Sequence, residues 1–360
     1  MSAKTRIAVV GFGLVGRRHV DVVRSLPDLE LACIVEADPK GAAAAEALGV
    51  PVYSSLAQMF DVDRPDGALL ATPTPLHVEQ GMLCIQNGCA TLIEKPISVT
   101  SGEALQLTRA AELAGVPLLV GHHRRHNGMV QAAKAALVEG RVGDIRAVQT
   151  TCWFYKPDYY FDEAPWRTKK GAGPISVNLV HDVDLLRHFC GEVVSVQAVS
   201  VPSQRGFENE DLASAILTFE SGAVATISVS DSIVAPWSWE LTSRENPRYP
   251  ATSESCYLIG GSSGGLSLPD LRVWAHEGGP DWWSPINAQT LAHDMQDPLA
   301  AQMLHFSRVI QGLEEPLVSG LEGLKSLEVV EAIARSAESG RAVTIASMDR
   351  LSQENQKEAV

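Results

Sequence analysis

Two side chains in this sequence have the chemistry to move a proton to or from an alcohol. Lys95 lies in a Glu-Lys-Pro segment directly after a short apolar run, and His181 lies in a His-Asp-Val-Asp segment. Imidazole is the usual general base near neutral pH, and a fixed ammonium group can stabilise a developing alkoxide. On the residues alone, a solvated Glu94–Lys95 ion pair at a strand end is an equally good interpretation.

Four further residues are candidates for substrate contacts in the second half of the chain. Asn178 and Asp184 lie three residues before and after His181, which is one helical turn in each direction. Asp184 could therefore orient the imidazole. Trp166 and Arg167 precede a glycine-rich turn and could stack on, and donate to, a polyol, although a surface loop explains them equally simply.

A metal site is the alternative use of the histidines. His181, Asp184 and His188 lie on similar helical faces, and a second group consists of His122, His123 and His126. A zinc site needs three or four converging ligands, which neither group provides by itself. We therefore predict no metal.

A glycine-rich turn near the start of the chain indicates a dinucleotide site. The apolar run Ile7–Val10 suits a strand buried on both faces, and Gly11, Gly13 and Gly16 follow it at G-x-G-x-x-G spacing. These glycines allow a tight turn, close approach of a pyrophosphate and close packing of the next helix. A glycine turn in another kind of α/β protein is the alternative. The predicted phosphate-binding residues are Gly11, Phe12, Gly13, Leu14, Val15 and Gly16.

An acidic residue supports that interpretation. The second apolar run, Leu29–Val35, ends at Glu36, twenty positions after Gly16. A carboxylate there accepts a hydrogen bond from a ribose 2′-OH, which favours NAD. NADP stays possible because Arg17 and Lys40 are nearby cations.

Two other strand ends provide the remaining cofactor contacts. Thr72, Pro73 and Thr74 follow one predicted strand, and Glu94 with Lys95 follows another. Ligands bind at the carboxyl edge of such sheets, and Pro96 is a candidate for a cis turn. The same loop leads to His77, for which a structural hydrogen bond at the helix start is at least as good an interpretation as a cofactor contact.

The elements that position these residues fall into two patterns. Strands and helices alternate through residues 1–122, which predicts a doubly wound parallel sheet of the Rossmann type. Residues 123–360 predict an α+β substrate-binding and oligomerisation domain with a large open, mostly antiparallel sheet, and the C-terminal helix could pack back on the first domain. Within it we predict strands over Asp144–Tyr155, Val193–Val201, Asp211–Phe219, Ala223–Ser230, Trp239–Ser243, Ser255–Ile259 and Leu271–His276, and a loop over Gly260–Gly265. The polar last dozen residues are expected to fray.

Composition limits the possible partners. The chain has 360 residues, 45% hydrophobic and 20% charged residues and a net charge of −14, which argues against nucleic acid and anionic membranes. No transmembrane stretch or signal peptide is recognisable. The six cysteines are scattered along the chain, and we expect them to be reduced thiols. We therefore expect a cytoplasmic protein. An uncovered sheet face would need a partner, so we also expect a homodimer or homotetramer.

The order of these motifs resembles the glucose-fructose oxidoreductase, inositol dehydrogenase and MocA (Gfo/Idh/MocA) family. The resemblance covers nearly the whole chain and combines the Glu-Lys-Pro and histidine motifs with Val120–Arg125 between them. It implies a catalytic lysine at Lys95, a catalytic histidine at His181 and a substrate contact at Arg124. Many members carry an aspartate four residues before that histidine, where this chain has Val177.

The resemblance implies an NAD(P)-dependent oxidoreductase acting on CH–OH groups. Hydride would pass between the nicotinamide and a secondary alcohol of a sugar, cyclitol or related polyol. Two alternatives stay open, a dehydrogenase of a cyclic or aromatic cis-dihydrodiol and a non-catalytic NAD-binding sensor. An aromatic-rich stretch at residues 153–161 would suit a dihydrodiol as well as a sugar, whereas the presence of both Lys95 and His181 argues against the sensor.

Overall fold

The computed structural model describes residues 4–345 of the chain. The expected fraying of the last dozen residues lies outside this range. The described chain divides into two compact units, one of residues 4–127 and 296–327 and the other of residues 128–295 and 328–345. No described helix has both the length and the apolar character needed to cross a membrane.

The first unit contains a six-stranded parallel sheet, which confirms the predicted Rossmann-type architecture. The strand order is β3-β2-β1-β4-β5-β6. The chain adds strands on one side of β1 as far as β3, and then on the other side of β1 from β4 onwards. All pairs in this sheet are parallel. The strands are β1 (Thr5–Val10), β2 (Leu29–Val35), β3 (Val52–Tyr53), β4 (Gly67–Leu70), β5 (Ala90–Ile93) and β6 (Leu118–Val120).

Helices connect these strands and cover the sheet. They are α1 (Leu14–Ser25), α2 (Pro39–Glu46), α3 (Leu56–Val62), α4 (His77–Gln86) and α5 (Ser101–Ala114). Local sequence sets several boundaries. Thr100 and Glu103 form a capping box at the start of α5, and Gly115 ends it in the left-handed conformation with φ +64°.

The second unit contains a nine-stranded sheet that is antiparallel except for one pair. Its order is β14-β13-β12-β11-β7-β10-β9-β8-β15, and β7 and β10 are the parallel pair. The turn at Glu220-Ser221-Gly222 joins β9 and β10. The strands are β7 (Ile145–Trp153), β8 (Val193–Pro202), β9 (Glu210–Phe219), β10 (Val224–Ser230), β11 (Tyr257–Gly261), β12 (Gly264–Leu268), β13 (Arg272–His276), β14 (Ile286–Thr290) and β15 (Val343–Thr344).

Helices of very different lengths complete the described chain. The second unit contains α6 (Gly128–Val138), α7 (Asp158–Asp162), α8 (Pro174–Val177), α9 (Leu179–Cys190) and α10 (Trp239–Thr242). The last two helices are α11 (Pro298–Ile310) and α12 (Gly320–Ser339). Helix α11 belongs to the first unit, where Met303, Phe306 and Val309 share a buried core with Ile7 and Val9 of β1.

Two sequence predictions in the second unit are wrong. Trp239–Ser243, expected as a strand, begins with α10, because the Ser238 hydroxyl caps the Leu241 N–H and starts a helical turn. Gly260–Gly265, expected as a loop, contributes to β11 and β12. A Cβ at Gly261 would lie 2.2 Å from the Val142 carbonyl oxygen, so glycine here permits close backbone approach rather than flexibility.

One face of the second sheet carries exposed apolar side chains. Val199, Ile216, Val224 and Leu258 are 63%, 48%, 39% and 50% exposed on β8, β9, β10 and β11. The residues on both sides of Ile216, Val224 and Leu258 are buried, as the two-residue period of a strand requires. Strands β7 to β10 also line a concavity of about 420 Å³ on the sheet.

Candidate functional site

The turn between β1 and α1 has the geometry of a phosphate-binding loop. Gly11 has φ +93°, and a Cβ at Gly16 would lie 1.9 Å from the Gly11 carbonyl oxygen, so neither position accommodates a side chain. A Cβ at Gly13 would meet nothing within 4 Å. The loop therefore closes tightly on itself and leaves open space at Gly13, at the N-terminus of a twelve-residue helix.

The three apolar residues of this loop occupy different surroundings. Phe12 is buried, whereas Leu14 and Val15 are exposed. The Arg17 guanidinium lies 4.4 Å from the centre of the Phe12 ring and donates a hydrogen bond to the Phe12 carbonyl oxygen at 3.1 Å. One of the two cations expected near the cofactor is thus held on the loop itself.

Glu36 lies directly after β2 and contacts the same loop. Its Oε2 accepts a hydrogen bond from the Phe12 N–H at 2.6 Å, and its Oε1 accepts one from the Asp38 N–H at 2.8 Å. Each carboxylate oxygen can accept a second hydrogen bond. The carboxylate is therefore fixed beside the glycine turn with acceptor capacity left for a hydroxyl group.

The loop after β4 has one buried histidine and three more accessible residues. Thr72 and Thr74 are half-buried and Pro73 is exposed. The Thr72 hydroxyl donates to the Gln80 side chain at 2.6 Å. The His77 ring is buried, with Nδ1 2.9 Å from the Pro96 carbonyl oxygen and Nε2 2.9 Å from the Thr72 carbonyl oxygen. These hydrogen bonds to backbone carbonyl oxygens match the interpretation of His77 as a structural residue at the start of the helix.

The Glu-Lys-Pro segment follows β5, and a buried histidine of α1 contacts its carboxylate. The Glu94 carboxylate accepts a hydrogen bond from His19 Nε2 at 2.7 Å and one from the Lys95 N–H at 3.2 Å. Burial acts to raise the pKa of Glu94, but the His19 hydrogen bond and the charges of His19, His123 and Lys95 hold that pKa at about 2. Lys95 is half-buried, and the Lys95–Pro96 bond is cis, which confirms that expectation.

Arg124 lies in a short 3₁₀ helix, His123–His126, that follows β6 in the first unit. Its side chain is buried, as is that of Arg125, which pairs with Glu322 at 2.9 Å. The predicted substrate contact at Arg124 is therefore a buried cation held by the first unit.

His181 lies in the first turn of α9 in the second unit. Its side chain is half-buried, and its N–H donates to the Asn178 carbonyl oxygen at 3.1 Å. Val177 ends α8, and Asn178 connects the two helices. Asp182 accepts a short hydrogen bond from the buried Tyr257 hydroxyl, which ties the start of α9 to β11.

Asp184, expected to orient the imidazole, is buried on the same helix. Its side chain therefore lies inside the second unit. Asn178 is also buried, and its side-chain oxygen accepts a hydrogen bond from Lys156 Nζ at 2.7 Å.

Lys156 is a candidate that the sequence analysis missed. It is buried after β7, 3.8 Å from Asp231 Oδ2 and 5.1 Å from the centre of the Tyr160 ring. Burial lowers its pKa, although Asp231 acts in the opposite direction. Lys156, like Lys95, directly follows a predicted strand, and that pattern could have identified it.

Trp166 and Arg167 lie in a 3₁₀ helix over Pro165–Thr168. Trp166 is 56% exposed. The Arg167 guanidinium lies 4.0 Å from the centre of the Tyr160 ring and donates to Glu163 at 3.1 Å. Arg167 and Lys156 therefore contact the same aromatic ring.

The structure brings the predicted residues together in two separate groups. The carboxyl ends of β1, β2, β4 and β5 bring together the glycine turn, Glu36, the Thr72–His77 loop and Lys95 in the first unit. In the second unit the shared contacts join Asn178, Lys156, Tyr160 and Arg167. Among residues 4–345, no cluster of three or more His, Cys, Asp or Glu side chains could hold a metal ion.

Comparison with known proteins adds two family matches. Residues 5–122 match the oxidoreductase family with an NAD-binding Rossmann fold, and residues 130–264 match the GFO/IDH/MocA C-terminal domain. A D-apiose dehydrogenase from Paraburkholderia graminis is 26% identical, covering 95% of this chain and 90% of that protein. A scyllo-inositol 2-dehydrogenase (NAD⁺) from Bacillus subtilis is 24% identical, with 96% and 97% covered.

Solved structures share the fold of this chain. The WlbA dehydrogenase from Bordetella pertussis, in complex with NADH and UDP-GlcNAcA, has a TM-score of 0.78 at 29% identity, covering 96% of this chain and 99% of that one. An oxidoreductase from Agrobacterium radiobacter, in complex with NAD⁺, L-tartaric acid and magnesium, has a TM-score of 0.81 at 21% identity, covering 95% and 98%. The second similarity is one of fold.

Proposed function

Because this chain belongs to the Gfo/Idh/MocA oxidoreductase family, we propose that it is an NAD(P)-dependent dehydrogenase of a secondary alcohol in a sugar, cyclitol or related polyol. The observation that carries the proposal is the position of Lys95. It follows β5 at the same sheet edge as the open glycine turn after β1. The Lys95 ammonium group, which can stabilise the oxygen of an alcohol, therefore follows a strand at the sheet edge where the cofactor would bind.

The first unit provides the residues that would hold NAD. The pyrophosphate would lie against the backbone of Gly11–Gly16, where the space at Gly13 and the N-terminus of α1 suit an anion. Glu36 would accept a hydrogen bond from the ribose, and Thr72, Pro73, Thr74 and Glu94 would surround the rest of the cofactor. When bound, the nicotinamide supplies the hydride chemistry.

Lys95 and His181 would handle the proton and the charge. His181 would take the proton from the substrate hydroxyl, since a half-buried imidazole can both reach substrate and exchange a proton. Lys95 would hold the oxygen as negative charge develops on it, and a cation already in place does so without reorganisation.

Asn178 and Lys156 would support His181 where the family aspartate is absent. Val177 can neither accept nor donate a hydrogen bond through its side chain. Asn178, the next residue, is fixed by the Lys156 ammonium group at 2.7 Å. An amide held in this way can orient a neighbouring group, although it cannot exchange a proton.

We propose two kinds of role for the four remaining substrate-site residues, which are Arg124, Trp166, Arg167 and Asp184. Trp166 is exposed and Arg167 is fixed on Tyr160, so this pair suits direct contact with a ring-shaped substrate. Arg124 and Asp184 are buried, which favours indirect roles in holding the site.

The named relatives support a polyol substrate. D-apiose is a sugar and scyllo-inositol is a cyclitol, and the two relatives named for them align with at least nine-tenths of this chain. A cis-dihydrodiol is the second candidate. The exposed aromatic rings of Tyr155, Tyr159 and Trp166 favour it, because they could cover an apolar ring.

Three further features belong to the proposal. The six cysteines lie buried among the described residues, which suits a reducing compartment such as the cytoplasm. The division into a cofactor domain over 1–122 and a substrate domain over 123–360 stays a prediction. The exposed apolar face of the second sheet favours a homodimer or homotetramer, and light scattering that gives a single-chain mass of 38.6 kDa would exclude both.

Glu36 favours NAD over NADP. Its carboxylate is fixed beside the glycine turn and would repel a 2′-phosphate while accepting a hydrogen bond from a 2′-OH. We expect kcat/KM to be higher with NAD and the preference to weaken in Glu36→Ala. A clear NADP preference of the wild-type protein would contradict this.

A substrate panel tests the proposed activity. The full chain is incubated with NAD and individual sugars, cyclitols and dihydrodiols, and NADH formation is followed by absorbance, with His181→Ala as the matched control. Oxidation of one class by the wild type, with little by the control, supports the proposal and selects between polyol and dihydrodiol. If NADH binds and no class reacts in either direction, the sensor interpretation gains support.

A further inference from the structure

The residues on either side of Lys95 are each held by a buried histidine from another element. On one side, His19 of α1 donates from Nε2 to the Glu94 carboxylate at 2.7 Å. A carboxylate that is ionised can only accept, so the shared proton belongs to His19. Among the described residues, His19 Nδ1 has no hydrogen-bond partner, and Glu94 is therefore the one polar contact that the ring makes there.

The space around Glu94 is closely filled. A Cβ at Gly121, after β6, would lie 3.1 Å from the Glu94 carboxyl carbon. The second Glu94 oxygen accepts the Lys95 N–H at 3.2 Å. The carboxylate thus connects α1 directly to the backbone of Lys95, in surroundings that leave it little room to move.

On the other side, His77 of α4 holds Pro96. The two ring nitrogens lie 2.9 Å from the carbonyl oxygens of Pro96 and Thr72. His77 is 1% exposed, so water does not compete for either contact. The ring therefore links the segment after β5 to the loop after β4.

We propose that His19 and His77 are positioning residues that fix the backbone of Lys95 from both sides. The inference rests on the proposed role of Lys95. A lysine side chain has four flexible methylene groups, so its ammonium group can be placed accurately only if its backbone is fixed. Positioning of this kind matters, because a displacement of about 1 Å can cost roughly a hundredfold in rate.

The two contacts also connect Lys95 to the proposed cofactor loops. His19 belongs to the helix that starts at the glycine turn, and His77 follows Thr72 and Thr74. Removing either ring should therefore disturb catalysis more than cofactor binding, because the loops keep their own backbone contacts. We expect His19→Ala and His77→Ala to lower kcat roughly tenfold to a hundredfold, with the Kd for NADH changing much less.

Two more variants separate positioning from simple loss of stability. His77→Gln retains an amide N–H that can reach a carbonyl oxygen, and should recover part of kcat. Ser307→Ala is the matched control. It removes a buried hydrogen bond to Thr5 and a part-buried one to Gln311. Thr5 is the first residue of β1, at the end of the strand opposite to the glycine turn. It should lower the Tm without changing kcat.

Lys95 can be observed directly in the cofactor-free protein. Lysine side chains of the full chain are ¹³C-methylated and followed by NMR over pH, with the Lys95 signal identified by its loss in Lys95→Arg. We expect the chemical shift and titration midpoint of Lys95 to change in His19→Ala and His77→Ala, and to stay at the wild-type values in Ser307→Ala. Unchanged Lys95 signals in both histidine variants would overturn the proposal.

Double variants link this result to catalysis. If the histidines act through Lys95, adding His77→Ala to Lys95→Ala should cause no further loss of kcat. A full additional loss would overturn the positioning role. If Lys95→Ala itself keeps a normal kcat, the proposed function of Lys95 is wrong. If Lys95→Ala has a low kcat but both histidine variants have a normal kcat, only the positioning role is overturned.

Discussion

The surroundings of Lys95 and of His181 are built in different ways. Lys95 lies at the carboxyl edge of a parallel sheet, where contacts come from α1, α4 and the ends of neighbouring strands. His181 lies on a helix, and the contacts near it come from Lys156 after β7 and Tyr257 of β11 in a mixed sheet. Parallel topology collects residues at one edge regardless of their sequence separation, whereas the second region depends on individual long-range contacts.

The two regions also treat buried charge differently. Around Lys95, the Glu94 carboxylate is buried but fully compensated, so its pKa falls to about 2. Around Asn178, burial lowers the pKa of Lys156 and raises that of Asp231, although the two groups lie 3.8 Å apart. Desolvation is thus the larger influence on the pKa of both Lys156 and Asp231.

The largest effects should come from the central residue of each region. We expect Lys95→Ala and His181→Ala each to lower kcat by about 10² to 10⁴, the usual contribution of one positioned acid–base group. NADH binding should survive in His181→Ala because the glycine turn and Glu36 are unchanged. Near-normal kcat in both variants, measured on a substrate identified by the panel, would show that the base lies elsewhere.

A smaller effect should separate Asn178 and Lys156 from these two residues. We expect Asn178→Ala and Lys156→Met each to lower kcat by roughly tenfold, since loss of orientation costs less than loss of the proton-transfer group. The double variant should resemble either single one, because the two side chains share one hydrogen bond. Steady-state kinetics on all three variants decides this, and strictly additive losses would argue against a shared role.

The smallest effect, measured on stability, should come from the charge of Glu94. Its folded pKa of about 2 lies below the ordinary value of 4.5, so the ionised carboxylate stabilises the fold fully above pH 4.5. That stabilisation is lost as the pH falls towards 2. The difference in unfolding free energy between wild type and Glu94→Gln should therefore be largest near neutral pH and shrink through this range in urea titrations. A difference that grows on acidification would contradict the assignment.

The first region could be predicted closely from sequence. The strand at Leu29–Val35 has the predicted bounds, and the glycine turn, Glu36 and Lys95 all follow strands as expected. Short buried strands, glycine spacing and alternating helices are local signals, and the topology of a parallel sheet then places their ends together. What the sequence did not reveal is the pairing of His19 with Glu94, which depends on tertiary contact.

The second region was less predictable for physical reasons. Four residues at Trp239–Thr242 are too few to distinguish a strand from a helix by periodicity, and the Ser238 cap decides the outcome. The glycines at 260–265 indicate a loop when only the sequence is considered. In the structure they lie in strands, where they allow neighbouring backbones to approach closely. Lys156 follows a predicted strand as Lys95 does, but its contact with Asn178 spans 22 positions of the chain and has no local signal.

The most direct test of the central claim follows the hydrogen itself. The substrate identified by the panel is labelled with deuterium at its carbinol carbon, oxidised by the full chain with NAD, and the reduced cofactor is analysed by mass spectrometry. We expect the deuterium to appear in the reduced cofactor, and we expect Lys95→Ala and His181→Ala to slow its appearance together with product formation. Deuterium that is released to water, or that stays in the product while the substrate is consumed, would contradict the assignment of this protein as a dehydrogenase.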